Sequence, residues 1–184
     1  SYFGAHNLVI ISEFKITTKR LLLREFKKEE AVGFFSMNND PLVLQYTGDV
    51  PFADKAAAEA FISSYQHYQT YGYGRWTVVN QTTGEYLGFC GLKYHPETGE
   101  VDLGFRFVRR FWGKGYATEA AAACLEYAFN VLELPCVIGR AQANNLASIR
   151  VLEKIGMTFL GTFDFEGNLG VLYSLKSPFL CPTK

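Results

Sequence analysis

The segment RFWGKGYAT at residues 110–118 places Gly113 and Gly115 at the mouth of a helix-like run, directly after a strand-like one. Glycines there carry no Cβ to hold an anion away from main-chain N–H groups, and a helix N-terminus adds the positive end of its dipole, so the segment suits a phosphate. A Walker loop needs GxxxxGK followed by Ser or Thr, and that spacing is absent. A Rossmann loop needs a third glycine where Thr118 stands, an acidic residue about 20 positions on and a buried parallel strand ahead of it. The strand before this loop alternates, which argues against it. A ligand-free glycine turn and a phosphate loop of another kind stay open.

Two further places carry groups that could do chemistry. Asp102 precedes the loop on a run in which Val101, Leu103, Phe105 and Phe107 alternate with Asp102, Gly104 and Arg106, so the carboxylate shares the polar face of its strand. It reads either as a base or as a partner of Arg106 on a wet sheet face, with Glu85 or His67 as other bases acting through water. Asn145 and Ser148 open a helix-like stretch, where Asn145 serves as an N-cap. The four cysteines (Cys90, Cys124, Cys136, Cys181) contain no CxxC pair, and His6, His67 and His95 show no zinc-ligand spacing beside them, so neither a metal nor a disulfide framework is expected.

The elements that must position these groups follow from periodicity. Residues 20–24 read as a strand and 27–38 as a helix, with Asp54 capping a second helix that runs to about Tyr71. Residues 73–80 and 85–94 form two β-rich runs turned at Gly84, and 100–108 a third. A helix rich in Ala follows the glycines to about Glu133; residues 136–143 are a strand, 145–154 a helix stopped by Gly156, and 158–165 and 169–175 two last strands. The order βααβββαβαββ mixes hairpins with βαβ crossovers, an α/β (α+β) fold with helices layered on a mixed sheet.

Composition sets the outer bounds. At 184 residues the chain has room for one domain, expected at 18–184 behind an N-terminal extension at 1–17. The 18 Lys and Arg cancel the 18 Asp and Glu, so no field drives nucleic-acid binding. No run approaches the roughly 20 apolar residues of a membrane span, and no secretion signal is legible, so a cytoplasmic protein with reduced thiols is expected. The 16 Phe, 11 Tyr and 2 Trp exceed what a core of this size obviously needs, and some are expected to line a pocket.

Taken together, GFRFV (104–108), WGKGYATEA (112–120) and NLASIRVLEKIG (145–156), with RLLLR (20–24) as an opening strand, resemble the ribosomal-protein N-terminal acetyltransferase (RimJ/RimL-like) branch of the GNAT superfamily. The resemblance spans about residues 18–176 and implies a GNAT-like, mostly antiparallel sheet of about seven strands and acetyl-CoA as co-substrate. It implies that the amides of 113–118 (Gly113, Lys114, Gly115, Tyr116, Ala117, Thr118) cradle the CoA pyrophosphate behind Arg110. The backbone of Phe105, Phe107 and Val108 would pair with the pantetheine arm, and Asn145, Ser148 and Lys154 would contact the cofactor. Many members place a Tyr seven residues after this Asn to protonate the leaving thiolate; Leu152 stands there, which moves the role to Ser148. Asp102 falls where relatives often hold an acid, and Tyr46, Trp76 and Tyr94 are expected to shape the acceptor pocket. The implied reaction is direct attack of a primary amine, on a protein N-terminus or a small molecule, in a ternary complex, by a protein that is often a homodimer in this family. The other reading is a non-catalytic sensor that binds acyl-CoA.

Overall fold

The computed structural model describes residues 13–179. His6, Cys181 and residues 1–12 of the expected extension lie outside the described residues. The described residues form eight strands: β1 (Lys15–Thr17), β2 (Leu21–Arg24), β3 (Arg75–Asn80), β4 (Tyr86–His95), β5 (Glu100–Phe107), β6 (Cys136–Gln142), β7 (Thr158–Phe165) and β8 (Asn168–Lys176). They make one sheet in the order β1-β2-β3-β4-β5-β6-β8-β7, antiparallel at every step except β5–β6. The count is eight rather than about seven because Lys15–Thr17, in the segment read as an extension, pairs with β2 as an edge strand.

Among the described residues six α-helices flank the sheet: α1 (Ala31–Met37), α2 (Pro41–Leu44), α3 (Lys55–Ser63), α4 (His67–Tyr71), α5 (Tyr116–Asn130) and α6 (Leu146–Lys154). The stretch read as one helix from Asp54 to about Tyr71 is two, broken at residues 64–66, with the Asp54 side chain accepting from Ala57 N–H and Gly72 ending the second in a left-handed turn. α2 is a single turn that sequence periodicity is too short to reveal, started by Asp40 ahead of Pro41. Among the described residues no helix is long and apolar enough to cross a membrane.

The small residues of α5 explain its seat. Ala120, Ala121, Cys124 and Ala128 are fully buried, so the helix lies close over Trp76, Cys90, Leu92 and Leu103. On the opposite face, α1 and α3 enclose a second cluster around Phe34, Met37 and Ile62, into which Phe89 of β4 packs. Strand alternation decides the division: Cys90, Leu92 and Tyr94 face α5, whereas Phe89, Lys93 and His95 face the other way.

Two features tie this frame to the glycine segment. β5 and β6 share a single register pair, Asp102↔Ile138, beyond which they diverge. The N-terminus of α5 is bound to the sheet edge through Glu119, whose carboxylate accepts from Thr18 Oγ1 (2.6 Å), Arg20 N (2.9 Å) and Arg20 Nε (2.7 Å). Burial pushes the Glu119 carboxyl up, and these bonds more than offset it, so it stays below the usual carboxylate value. Glu119→Ala removes all three bonds at once and should lower the unfolding free energy by about 1–3 kcal/mol. Urea denaturation measures this, and an unchanged midpoint would mean that the clamp carries no stability.

Candidate active site

The divergence of β5 and β6 creates the site. Along β5, backbone groups point alternately to the two neighbouring strands. Val108 N–H donates to Leu87 O on the β4 side (2.9 Å), which puts Arg106, Gly104 and Asp102 on that side and turns the main-chain groups of Phe105 and Phe107 toward β6. With β6 gone, those groups open into a gap. The Phe107 carbonyl is taken by the indole N–H of Trp112 (2.9 Å), whereas the Phe105 groups face the cleft. Val108, expected to pair with the pantetheine, is therefore committed to β4.

A cleft of about 580 Å³ runs along one side of the gap. Phe105, Phe107, Gly113, Gly115, Tyr116, Ala117, Thr118, Asn145, Ser148 and Lys154 all line it, as the sequence suggests. Gly113 and Gly115 adopt φ of 76° and 79°, the left-handed region that a side chain strains, and Gly115 caps α5. This turn leaves the first N–H groups of α5 without intrahelical acceptors and directed at the cleft. Arg20 holds the loop from behind: its Nη1 donates to Lys114 O (2.9 Å), and its guanidinium lies 4.5 Å from the centre of the Tyr116 ring. Besides Val108, two expected residues are elsewhere. Arg110 pairs with Glu85 (3.2 Å) and stacks on Phe111, and Lys114 contributes its carbonyl to Arg20 instead of lining the cleft. Arg150, to which sequence reasoning gave no role, does line it.

A second cleft, of about 880 Å³, lies on the α1/α3 side, and the two share Tyr46, Thr47, Phe105, Arg106, Asn145 and Ser148. Ser148 thus stands at the junction. Asn145 Oδ1 accepts from Ser148 N–H (3.3 Å), so the capping reading of Asn145 holds, while the Ser148 hydroxyl makes no side-chain hydrogen bond among the described residues. Leu152 is buried, packs its methyls on Gly139 and borders the second cleft, and a leucine has no proton to donate.

On the floor of the second cleft Asp102 is 8% exposed, not on a wet face, and Arg106 is not its partner. Arg106 instead reaches Asn38 (2.5 Å) and Asp49 (2.7 Å). Arg75 Nη2 donates to Asp102 Oδ1 (2.5 Å), His95 Nε2 bonds Oδ2, and Arg140 lies 3.7 Å from Oδ2. The Arg75 guanidinium can lie there because Gly104 has no side chain; a Cβ would sit 2.5 Å from Nη2. Burial pushes the Asp102 carboxyl up, but Arg75 and His95 overcome that and hold it below the usual carboxylate range. Of the other bases considered, His67 is occupied at both nitrogens, by Tyr73 O (2.5 Å) and Tyr94 N–H (3.0 Å), and Glu85 is held on Arg110. Burial chiefly depresses the His67 pKa, in keeping with a neutral structural imidazole.

Of the three aromatics expected in the acceptor pocket, only Tyr46 lines it. Trp76 is 1% exposed and stacked on Phe14 (4.6 Å) under α5, and Tyr94 packs on Tyr71 (4.9 Å) on the α5 face of β4. Both side chains fall on the core parity of their strands. Arg75, Lys93, His95 and Arg140, which sequence reasoning passed over, line the cleft in their place. Lys93 and His95 share the strand parity that exposes Asp102, and that was the available signal.

Residues 20–158 match the family model described as "Acetyltransferase (GNAT) domain". The uncharacterized protein YkkB of Bacillus subtilis is 36% identical over 167 residues, 89% of this chain and 96% of that one. The uncharacterized N-acetyltransferase p20 of Bacillus licheniformis is 30% identical over 158 residues, 84% of this chain and 89% of its own. A GNAT-family acetyltransferase from Bacillus anthracis superimposes with a TM-score of 0.79 at 25% identity, covering 89% of this chain and 98% of that one.

The depressed Asp102 pKa fixes a pH signature. The carboxylate stabilises the fold above its unfolded value of about 3.9, and this is lost as pH falls through the lower folded value. Asp102→Asn should therefore cost about 3 kcal/mol at pH 7, with the gap to the parent closing in acid. Denaturation from pH 7 down to about pH 2 checks this, and a gap that stays constant below about pH 4 would assign the loss to shape alone.

Proposed function

The chain belongs to the GNAT acetyltransferase family and is an N-acetyltransferase, and on that premise we propose that it moves acetyl from acetyl-CoA to a primary amine held in the second cleft. The observation that carries this is the meeting of two clefts at Ser148 and Phe105, across a sheet edge that no strand of the described residues occupies. One cleft suits the cofactor. The loop offers several converging N–H donors at a helix start, and Lys154 and Arg150 stand beside it as cations for phosphate. The free Phe105 edge suits an amide-bearing arm laid down as an added strand.

Acetyl-CoA supplies a thioester as the acyl donor. The chain's part is to align and to stabilise. The ammonium first gives one proton to solvent water; the free amine nitrogen then bonds to the carbonyl carbon, the C–S bond breaks, and the second nitrogen proton passes to the departing sulfur, giving the amide and the CoA thiol. A Phe105 main-chain N–H is placed to steady the oxyanion. Ser148 offers its hydroxyl to the departing sulfur, and because thiols titrate near 8.5 that group needs only modest help. Asp102, held ionised by Arg75 and His95 about 10 Å along β5 from Phe105, has little capacity to take a proton; it fixes the guanidinium of Arg75 across the floor of the second cleft.

Ser148→Ala tests the reading in a thiol-release assay with acetyl-CoA. Turnover should fall between several-fold and about 100-fold, the usual span for such groups, with acetyl-CoA affinity retained. Undiminished turnover, or a loss confined to affinity, would leave Ser148 as part of a helix cap.

A further inference from the structure

We infer that the amine acceptor is a small dipolar molecule, with an apolar ring-sized body and an anionic group within about 10 Å of its amine that Lys93 takes up. This rests on the acetyl-transfer reading above and goes on to name the substrate class.

The first observation is the wall of the second cleft. Phe26, Phe52, Phe61, Tyr65 and Phe89 line it from one side and Phe165 from the other. The rings touch one another, Phe26–Tyr65 at 4.9 Å and Phe52–Phe61 at 5.9 Å, and Phe61 remains 44% exposed within this aromatic bank. So much apolar surface facing a concave space selects a ligand with apolar area to bury. A polyamine offers little.

The second observation is charge. Each arginine in the cleft has a carboxylate: Arg75 has Asp102, Arg106 has Asp49 and Arg140 has Glu100. Lys93 lines the same cleft and makes no ion pair or side-chain hydrogen bond among the described residues. Its Cα pairs with that of Asp102, three residues along β5 from Phe105, about 10 Å at the rise of a strand. At the opposite end the Glu166 carboxylate lies against Gly48, next to Thr47 at the junction of the clefts. Arg106 at the junction stands against Asp49 and Glu166, and at the far end Arg75, Arg140 and Lys93 stand against Asp102 and Glu100, so the cleft carries one net negative charge where the amine must meet the thioester and one net positive charge, that of Lys93, at the far end. That polarity orients a zwitterion with its ammonium toward Ser148 and its anion toward Lys93. A second ammonium at the far end would meet the unpaired Lys93. A peptide N-terminus would bring a neutral amide there.

The test compares matched amines in the thiol-release assay with the full chain: phenylalanine against phenylalaninamide, 4-(aminomethyl)benzoate against 4-methylbenzylamine, a phenylalanyl dipeptide amide, and spermidine. At least one carboxylate should exceed its neutral partner by about tenfold in kcat/KM, the range of one charge-assisted contact. Lys93→Met should raise KM for that carboxylate and bring the ratio within about twofold, with acetyl-CoA affinity as the folding control. A neutral partner, the dipeptide amide or spermidine acetylated as well as the carboxylates, or a preference that survives Lys93→Met, would overturn the substrate class while leaving acetyl transfer standing. Acetyl-CoA binding with no thiol released from any amine would remove the transfer reading itself, and this one with it.

Discussion

A strand edge that loses its neighbour inside a fold leaves main-chain donors and acceptors that must find partners. Here that edge is the β6 side of β5 beyond Asp102, where one register pair holds the two strands and then they part. Closing the gap with side chains would cap some of these groups, as Trp112 does for the Phe107 carbonyl. Leaving it open next to Phe105 makes the backbone itself a binding surface. Everything else near the site either keeps that gap open or puts chemistry on one of its two sides.

The α5 crossover from β5 to β6 has to begin at the mouth of the gap, so the start of that helix and its unpaired N–H groups face the same space as the open edge. Glu119 and Arg20 hold the turn against β2, one by accepting three bonds and the other by spanning the Lys114 carbonyl and the Tyr116 ring. On the second side, Gly104 gives Arg75 room to lie across the sheet and grip Asp102. The carboxylate is consequently fixed and ionised, a steady charge on the floor of the cleft. It is poorly suited to storing a proton.

Much of this was legible in the sequence, and the rest was hidden for physical reasons. The glycine pair before an amphipathic run and the alternation of 101–107 are local patterns, and both the loop and the parity of Asp102 emerged as read. Trp76 and Tyr94 show the limit of choosing pocket residues by type: each lies on the core parity of its strand, and parity outweighs aromatic character. The same rule applied to β4 would have selected Lys93 and His95. Arg75 could not be found that way, because its role depends on contacts 27 residues away with Asp102. Arg110 and Lys114 sit in the motif, yet Glu85 draws the first aside and Arg20 engages the main chain of the second, contacts set by tertiary structure. Lys15–Thr17 forms an edge strand of three residues, too short for any periodicity to announce.

Site-resolved amide hydrogen exchange with and without acetyl-CoA tests the central claim most directly, since it reads the donors themselves. Ligand should slow exchange at Phe105 and at Tyr116, Ala117 and Thr118, the open strand edge and the helix start, with little change at Val108, whose N–H is already bonded to Leu87. Saturation with acetyl-CoA that leaves Phe105 and the first turn of α5 exchanging as before would contradict the account, because the cofactor would then be held by something other than this gap.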